Sequence, residues 1–111
     1  MKRRERRPLK PAVFHILLAL AGEERHGLGI ADEIEQATGG AVRLGPGTLY
    51  RSLKQMAADG LIRELRVRDA DVDPRRRYYA LTDAGRDALE ADAIRYDRLS
   101  RLARKRGVLP A

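Results

Sequence analysis

One segment of eleven residues, Leu44-Gly45-Pro46-Gly47-Thr48-Leu49-Tyr50-Arg51-Ser52-Leu53-Lys54, limits the folds open to this chain more than any other. Proline is accepted in the first turn of a helix, where its missing N–H has no intrahelical partner to lose. From Pro46 onward, Leu49, Leu53, Met56 and Ala57 recur at the spacing of one helix face, which predicts an amphipathic helix. Gly47, Tyr50, Arg51 and Lys54 fall on the opposite side. Between Val42 and Ala58 the chain carries Arg43, Arg51 and Lys54 and no acidic residue. A helix with small, aromatic and basic groups on the outside of its N-terminal half is shaped to enter a DNA groove. Its positive dipole end suits a phosphate. The competing reading is an ordinary amphipathic surface helix.

The flanking segments give that helix a setting. A helix is expected from about Pro11 to Ala21, with Val13, Phe14, Ile16, Leu17, Leu18 and Leu20 covering most of its circumference. Such a helix needs burial on two sides. One side is the core of its own domain, and the other calls for a partner, with the C-terminal helix of a second copy as the candidate. Glu23-Glu24-Arg25 reads as a polar turn. His26-Gly27 then opens a second helix to about Thr38, with Leu28, Ala31, Ile34 and Ala37 inward and Gly39-Gly40 at its end. Two helices joined by a short glycine-bearing link form a helix-turn-helix pattern.

Asp59-Gly60 closes the third helix. Leu61 to Arg68 alternates as a strand, with Leu61, Leu65 and Val67 on one face, and Arg75 to Leu81 returns as a second strand. The acidic, turn-rich segment Asp69 to Pro74 lies between them, so the pair forms a wing beside the helix-turn-helix. Arg75, Arg76 and Arg77 either reach phosphates or the minor groove, or are held by Asp69, Asp71 and Asp73 in a local ion-pair cluster. Thr82 is a good N-cap for a fourth helix to about Lys105. Leu89, Ala93, Tyr96, Leu99 and Leu102 form a narrow seam along it. A homodimer buries such a seam, and the expected interface joins it to Phe14 and Leu18. Folding of the seam back onto its own domain is the alternative. Residues Arg104 to Pro110 read as a frayed tail.

Charge and chemistry narrow the function. The net charge of +7 is concentrated at the ends: residues 1–10 and 95–111 each sum to +5, and the rest sums to −3. Basic arms around a mildly acidic middle suit a polyanion. Met1 to Lys10 is too charged to pack and is expected to be loosely attached. Without cysteine there is no disulfide, no thiolate metal ligand and no cysteine nucleophile. The apolar run Ile16 to Ala21 is far too short to cross a bilayer, so no membrane partner is expected and the location is read as cytoplasmic. His15 reads as a core or interface residue and His26 as a cap or turn residue, neither at metal-ligand spacing. With no phosphate loop, paired-carboxylate motif or activated nucleophile, the chain is not expected to be an enzyme or to carry a metal or cofactor.

Several separated motifs, in order, resemble the PadR family of transcriptional regulators, in its short form with a single C-terminal helix. They are Pro11 to Leu20 (PAVFHILLAL) with His26-Gly27, Leu44 to Arg51 (LGPGTLYR), Asp59-Gly60-Leu61-Ile62, and Arg76 to Gly85 (RRYYALTDAG). The resemblance implies a winged-helix dimer that binds palindromic operators and usually represses. It puts Thr48, Tyr50, Arg51 and Lys54 on the recognition helix, Arg75 to Arg77 in or beside the wing, and Leu89 to Leu102 in the dimerisation helix. Some relatives bind planar aromatic effectors at the dimer interface through aromatic side chains. Here there is no Trp, Phe14 is the single Phe, Tyr96 alone is aromatic on the fourth helix, and Leu28 stands where the family often has tyrosine.

The expected class is therefore α+β, mostly α: a winged helix-turn-helix of three helices and a two-stranded wing, with a long C-terminal dimerisation helix. The expected division is a basic leader over 1–10, the DNA-binding domain over 11–81, the dimerisation helix over 82–106 and a tail over 107–111. The expected partners are operator DNA contacted by Arg43, Gly47, Thr48, Tyr50, Arg51, Lys54 and Arg75 to Arg77, a second copy of the chain, and a small aromatic effector of unknown identity. The second functional reading is a winged-helix protein-interaction module that does not bind DNA specifically.

Overall fold

Ten residues beginning at Pro11 form the helix against which the rest of the fold packs. In the computed structural model, which describes residues 7–65 and 77–111, α1 spans Pro11–Leu20. Next come β1 (Arg25–His26), α2 (Gly27–Ala37), α3 (Pro46–Ala58), β2 (Ile62–Glu64), β3 (Tyr78–Leu81) and α4 (Asp83–Lys105). Helix α1 touches α2, α3, α4 and β3. Its Ile16, Leu17 and Leu20 meet Ile30 and Ile34 of α2, Leu49, Leu53 and Met56 of α3, and Ala88 and Leu89 of α4 in a single core. The architecture is a helix-turn-helix backed by α1, with a small antiparallel sheet and a long C-terminal helix.

The sheet has one strand more than the two expected. Arg25 and His26 pair with Tyr79 and Tyr78, which gives the strand order β1-β3-β2. The polar turn expected at Glu23-Glu24-Arg25 therefore ends as a short edge strand. Arg25 also fastens α1 to α2: its Nε donates to the Ala19 carbonyl at 2.7 Å, and its guanidinium lies 3.6 Å from Glu33 and 3.9 Å from Glu23. The phase of β2 is one residue later than expected. Ile62, not Leu61, is the fully buried residue, because Leu61 belongs to the turn that closes α3 and donates its N–H to Met56 O at 3.0 Å. The inward stripe of α2 is likewise Gly27, Ile30 and Ile34, with Leu28 exposed.

Two ends that the sequence left loose are held. Helix α4 closes on Gly107, whose φ of +76° suits glycine; the N–H of Gly107 reaches Arg104 O and that of Val108 reaches Ala103 O. The expected fraying is thus replaced by a closed helix end. At the other terminus Leu9 packs on the core, and its N–H donates to Asp92 Oδ2 at 3.1 Å. Asp92 is 1% exposed and is also bonded by Arg95. The last residues of the leader are therefore attached, contrary to the expectation drawn from charge alone.

The junction between sheet and α4 is the tightest in the fold. Thr82 Oγ1 accepts from the Gly85 N–H at 3.0 Å and donates to Gly60 O at 2.6 Å. Gly85 is so close to the Leu61 carbonyl that a Cβ would lie 1.9 Å from its oxygen. Backbone cannot yield as a flexible side chain can. Gly85→Ala should therefore cost about 2 kcal/mol or more in a urea melt. Gly47→Ala, in a helix with nothing within 4 Å of the added carbon, should be neutral or raise stability by up to about 1 kcal/mol. Equal stabilities of the two variants would contradict this reading of the junction.

Candidate nucleic-acid interface

The outer face of α3 is built by its own sequence. Gly45, at the N-cap, has no side chain to accept from the first turn, Pro46 follows at N1, and the first turn has no acidic residue. Helices α2 and α4 differ: His26 Nδ1 accepts from Gly29 N at 2.9 Å, and Thr82 caps α4 with Asp83 beside it. The positive end of α3 thus has neither a side-chain cap nor an acidic residue of its own first turn, and Gly45, Pro46 and Gly47 are exposed, the arrangement that suits an external phosphate. Leu49, Leu53 and Met56 anchor the opposite face in the core. Gly47, Thr48, Arg51 and Lys54 are all exposed.

Tyr50 departs from its expected place on that face. It is half-buried and packs against the core. Its ring sits against α2, where a Cβ on Gly27 would lie 2.8 Å from Tyr50 Cε1 and 2.9 Å from Oη. Gly27 leaves space for the ring, and the ring fixes how α3 leans on α2. Tyr50 lies one turn before Lys54 on nearly the same side of the helix, so spacing alone does not turn it inward; the space that Gly27 leaves on α2 takes the ring. His26-Gly27 contained the signal, but the ring that occupies the space comes from a residue 23 positions later in sequence.

Of the remaining expected cations, Arg43 and Arg77 are described, and each is held by a surface pair. Arg43 Nε is 3.6 Å from Glu35 Oε2, and Arg77 is 3.5 Å from Glu64 Oε1 across the wing. Exposed pairs of this kind contribute little, so an incoming phosphate competes with them readily. Arg75 and Arg76 lie outside the described residues, as do Asp69, Asp71 and Asp73. The link between α2 and α3 is clipped by Thr38, whose Oγ1 accepts from Val42 N at 3.0 Å and donates to Ile34 O at 2.9 Å.

The expected dimer residues divide. Leu89 is only 7% exposed and belongs to the core of its own chain, so it is not on an open seam. Phe14 stacks edge-to-face on Tyr96 at 4.7 Å, joining α1 to α4 within the chain. Leu18, Ala93, Tyr96, Leu99 and Leu102 are exposed, and so is Ile94, which was not expected on the seam. Leu99 is 55% exposed. Among the described residues, no group of three or more His, Asp or Glu could hold a metal ion, and no helix is long and apolar enough to cross a membrane.

The pattern of the PadR-like family of transcriptional regulators matches residues 16–91, from α1 into α4. The chain belongs to that family. It is 40% identical over 89 residues to a transcriptional regulator of Mycobacterium tuberculosis, covering 79% of this chain and 78% of that one. It is also 42% identical over 85 residues to an uncharacterized 37.1 kDa protein of a Streptomyces fradiae transposon. That alignment takes in 77% of this chain but only 23% of the transposon protein. The crystal structure of a Clostridium difficile PadR family transcription regulator matches with a TM-score of 0.71 and 25% identity, over 86% of this chain and 97% of that one. Bacillus subtilis PadR, solved in complex with operator DNA, shares the fold at a TM-score of 0.63 and 23% identity, over 75% of this chain and 46% of that one.

Beside α3, Tyr79 of β3 is buried, and its burial pushes the phenol above the ordinary value of 10.0. The Glu64 carboxylate pushes it the same way, and Arg77 opposes them. The folded chain therefore holds this proton more tightly than the unfolded chain. Its contribution to stability is complete below about pH 10 and is lost as pH rises through the folded value. Urea melts at rising alkaline pH should show a steeper loss for the parent chain than for Tyr79→Phe. Parallel losses would contradict the shift.

Proposed function

We propose that this PadR-family chain is a sequence-specific DNA-binding transcriptional regulator, a homodimer that represses by occupying a palindromic operator. The observation that carries the proposal is the outer face of α3: an uncapped positive helix end followed by exposed Thr48, Arg51 and Lys54, with no acidic residue between Val42 and Ala58. Phosphate contacts from Arg43, Arg51, Lys54 and the wing supply most of the affinity, and Thr48 with the backbone at Gly47 approaches the bases. Tyr50, turned inward on Gly27, acts by setting the angle of the reading helix. The operator-bound Bacillus subtilis relative supports the reading by analogy of fold.

Exposed Ile94, Tyr96, Leu99 and Leu102 on α4, with Leu18 on α1, support the dimer. A two-fold axis through this face presents two copies of α3 to half-sites about ten base pairs apart. Repression follows by exclusion of polymerase from the promoter, in the cytoplasm. The aromatic pair at that face, Phe14 and Tyr96, is where a small aromatic effector would bind. The competing reading, a protein-interaction module, draws on the exposed acidic residues Asp32 and Glu35 of α2.

The test is an anisotropy titration of the purified chain onto the duplex upstream of its own gene and onto a shuffled duplex, at physiological salt. Selective binding should exceed shuffled binding by about 10³ or more. With six or more phosphates neutralised, affinity should fall by at least about 10³ between about 50 and 200 mM salt. Arg51→Glu with Lys54→Glu should abolish selective binding while leaving the oligomeric state unchanged. Binding that is indifferent to both substitutions, or absent from both duplexes, would favour the interaction module.

A further inference from the structure

The residues just before α1 are built into the fold by three separate devices. Pro8 and Pro11 fix their own φ and disfavour a helical backbone at the residue before each; Lys10 is extended, at φ −61° and ψ 146°. Leu9 between them is packed on the core. Its N–H is held by Asp92, a carboxylate 1% exposed on α4, 83 residues away in sequence. A buried carboxylate is costly unless fully bonded, and this one receives Arg95 from its own helix and the backbone of the strap from outside it. Residues 7–10 are therefore a stiff strap with a defined course.

That course runs beside the reading helix. Arg7, Pro8, Leu9 and Lys10 form one wall of an open groove of about 600 Å³, and Arg51, Ser52, Gln55 and Met56 of α3 form the other. Arg7, Lys10 and Arg51 thus border one opening. Asp59, also on the groove, accepts from Gln55 Nε2 at 3.0 Å. Arg7 and Lys10 are exposed, and the sequence before them adds Lys2, Arg3, Arg4 and Arg6 against a single Glu5. Leu9, Val13, Met56 and Leu61 make the groove itself largely apolar, so the cations that border it, Arg7, Lys10 and Arg51, are what select a polyanion; their position on the flank of α3 selects the sugar–phosphate backbone next to the groove that α3 enters.

We propose that the strap is a second DNA-binding element, an arm whose Arg7 and Lys10 contact duplex phosphates alongside α3, with Asp92 as the residue that positions it. The proposal rests on the DNA-reading function above. The arm adds affinity without sequence information, since phosphate contacts are the same for every duplex.

Arg7→Ala, and a variant of the chain lacking residues 2–6, would be titrated onto the upstream and shuffled duplexes across a salt series. Arg7→Ala should weaken binding to both duplexes by the same factor. It should also lower the slope of log affinity against log salt by roughly 0.9 for each chain on the site. Removal of residues 2–6 should lower the slope further. Asp92→Ala, checked for fold by circular dichroism, should make the Arg7→Ala substitution nearly silent, because a loose arm no longer places Arg7. Pro8→Gly loosens the strap without touching a buried group and should act in the same direction if Asp92→Ala fails to fold. A selective parent whose salt slope is indifferent to Arg7 overturns the arm and leaves the regulator reading standing. An undiminished Arg7 effect in the loosened backgrounds overturns the positioning role. A parent that does not select the upstream duplex overturns the regulator reading, and the arm with it.

Discussion

Everything downstream of α3 depends on one contact, the closeness of Gly85 to the Leu61 carbonyl, locked by Thr82. At that point α3 has just ended, β2 is about to begin, β3 has just ended and α4 starts. Thr82 Oγ1 bonds Gly60 O on one side and the Gly85 N–H on the other, and its own N–H reaches Leu61 O at 3.3 Å. Four elements therefore share one rigid joint. A side chain at residue 85 would push α4 away from the end of α3. The direction in which α4 leaves the body is in this way tied to the orientation of α3.

That tie gives the charged surface its meaning. A face with two arginines and a lysine is common and by itself says little about a partner. Here the helix bearing it is fixed from three sides: by the core through Leu49, Leu53 and Met56, by the Tyr50 ring on Gly27, and by the Gly60 joint to the C-terminal helix. Rigid support of this kind is what a surface needs if it is to present a few groups at groove spacing, since looseness in the supports would blur the reading. The exposed apolar residues of α4 lie beyond the joint, so in the proposed dimer a second copy packed there would hold its α3 at an orientation fixed relative to the first.

Much of this was legible in the sequence. The four helices fall within a residue or two of the positions that periodicity and caps indicated, because proline at N1, Thr82 at an N-cap and glycine after a last turn act locally. The family also followed from motifs that are each a short continuous run of sequence, at a helix start or at the joint between two elements. What was not legible depends on contacts between distant residues. Tyr50 looked like an outward aromatic because helical spacing alone does not show that Gly27 opens a space for it. Leu89 looked like part of an intermolecular seam because periodicity does not tell where a helix leaves the core. Asp92 is an acid in a charged helix, indistinguishable by pattern from Asp97, which faces solvent and pairs with Arg101 at 2.7 Å. Asp92 is buried, and the Leu9 N–H, 83 residues away in sequence, bonds to it. Strand β1 has two residues, too few for any alternation, and exists because Tyr78 and Tyr79 offer an edge.

The central claim is that α3 is a reading helix presented twice, at a spacing fixed through α4. Hydroxyl-radical footprinting of the chain on its selected duplex tests this most directly. The account predicts two protected patches on one face of the DNA, centred about one helical turn apart and related by a dyad. A single patch, or uniform protection that spreads with protein concentration, would contradict it.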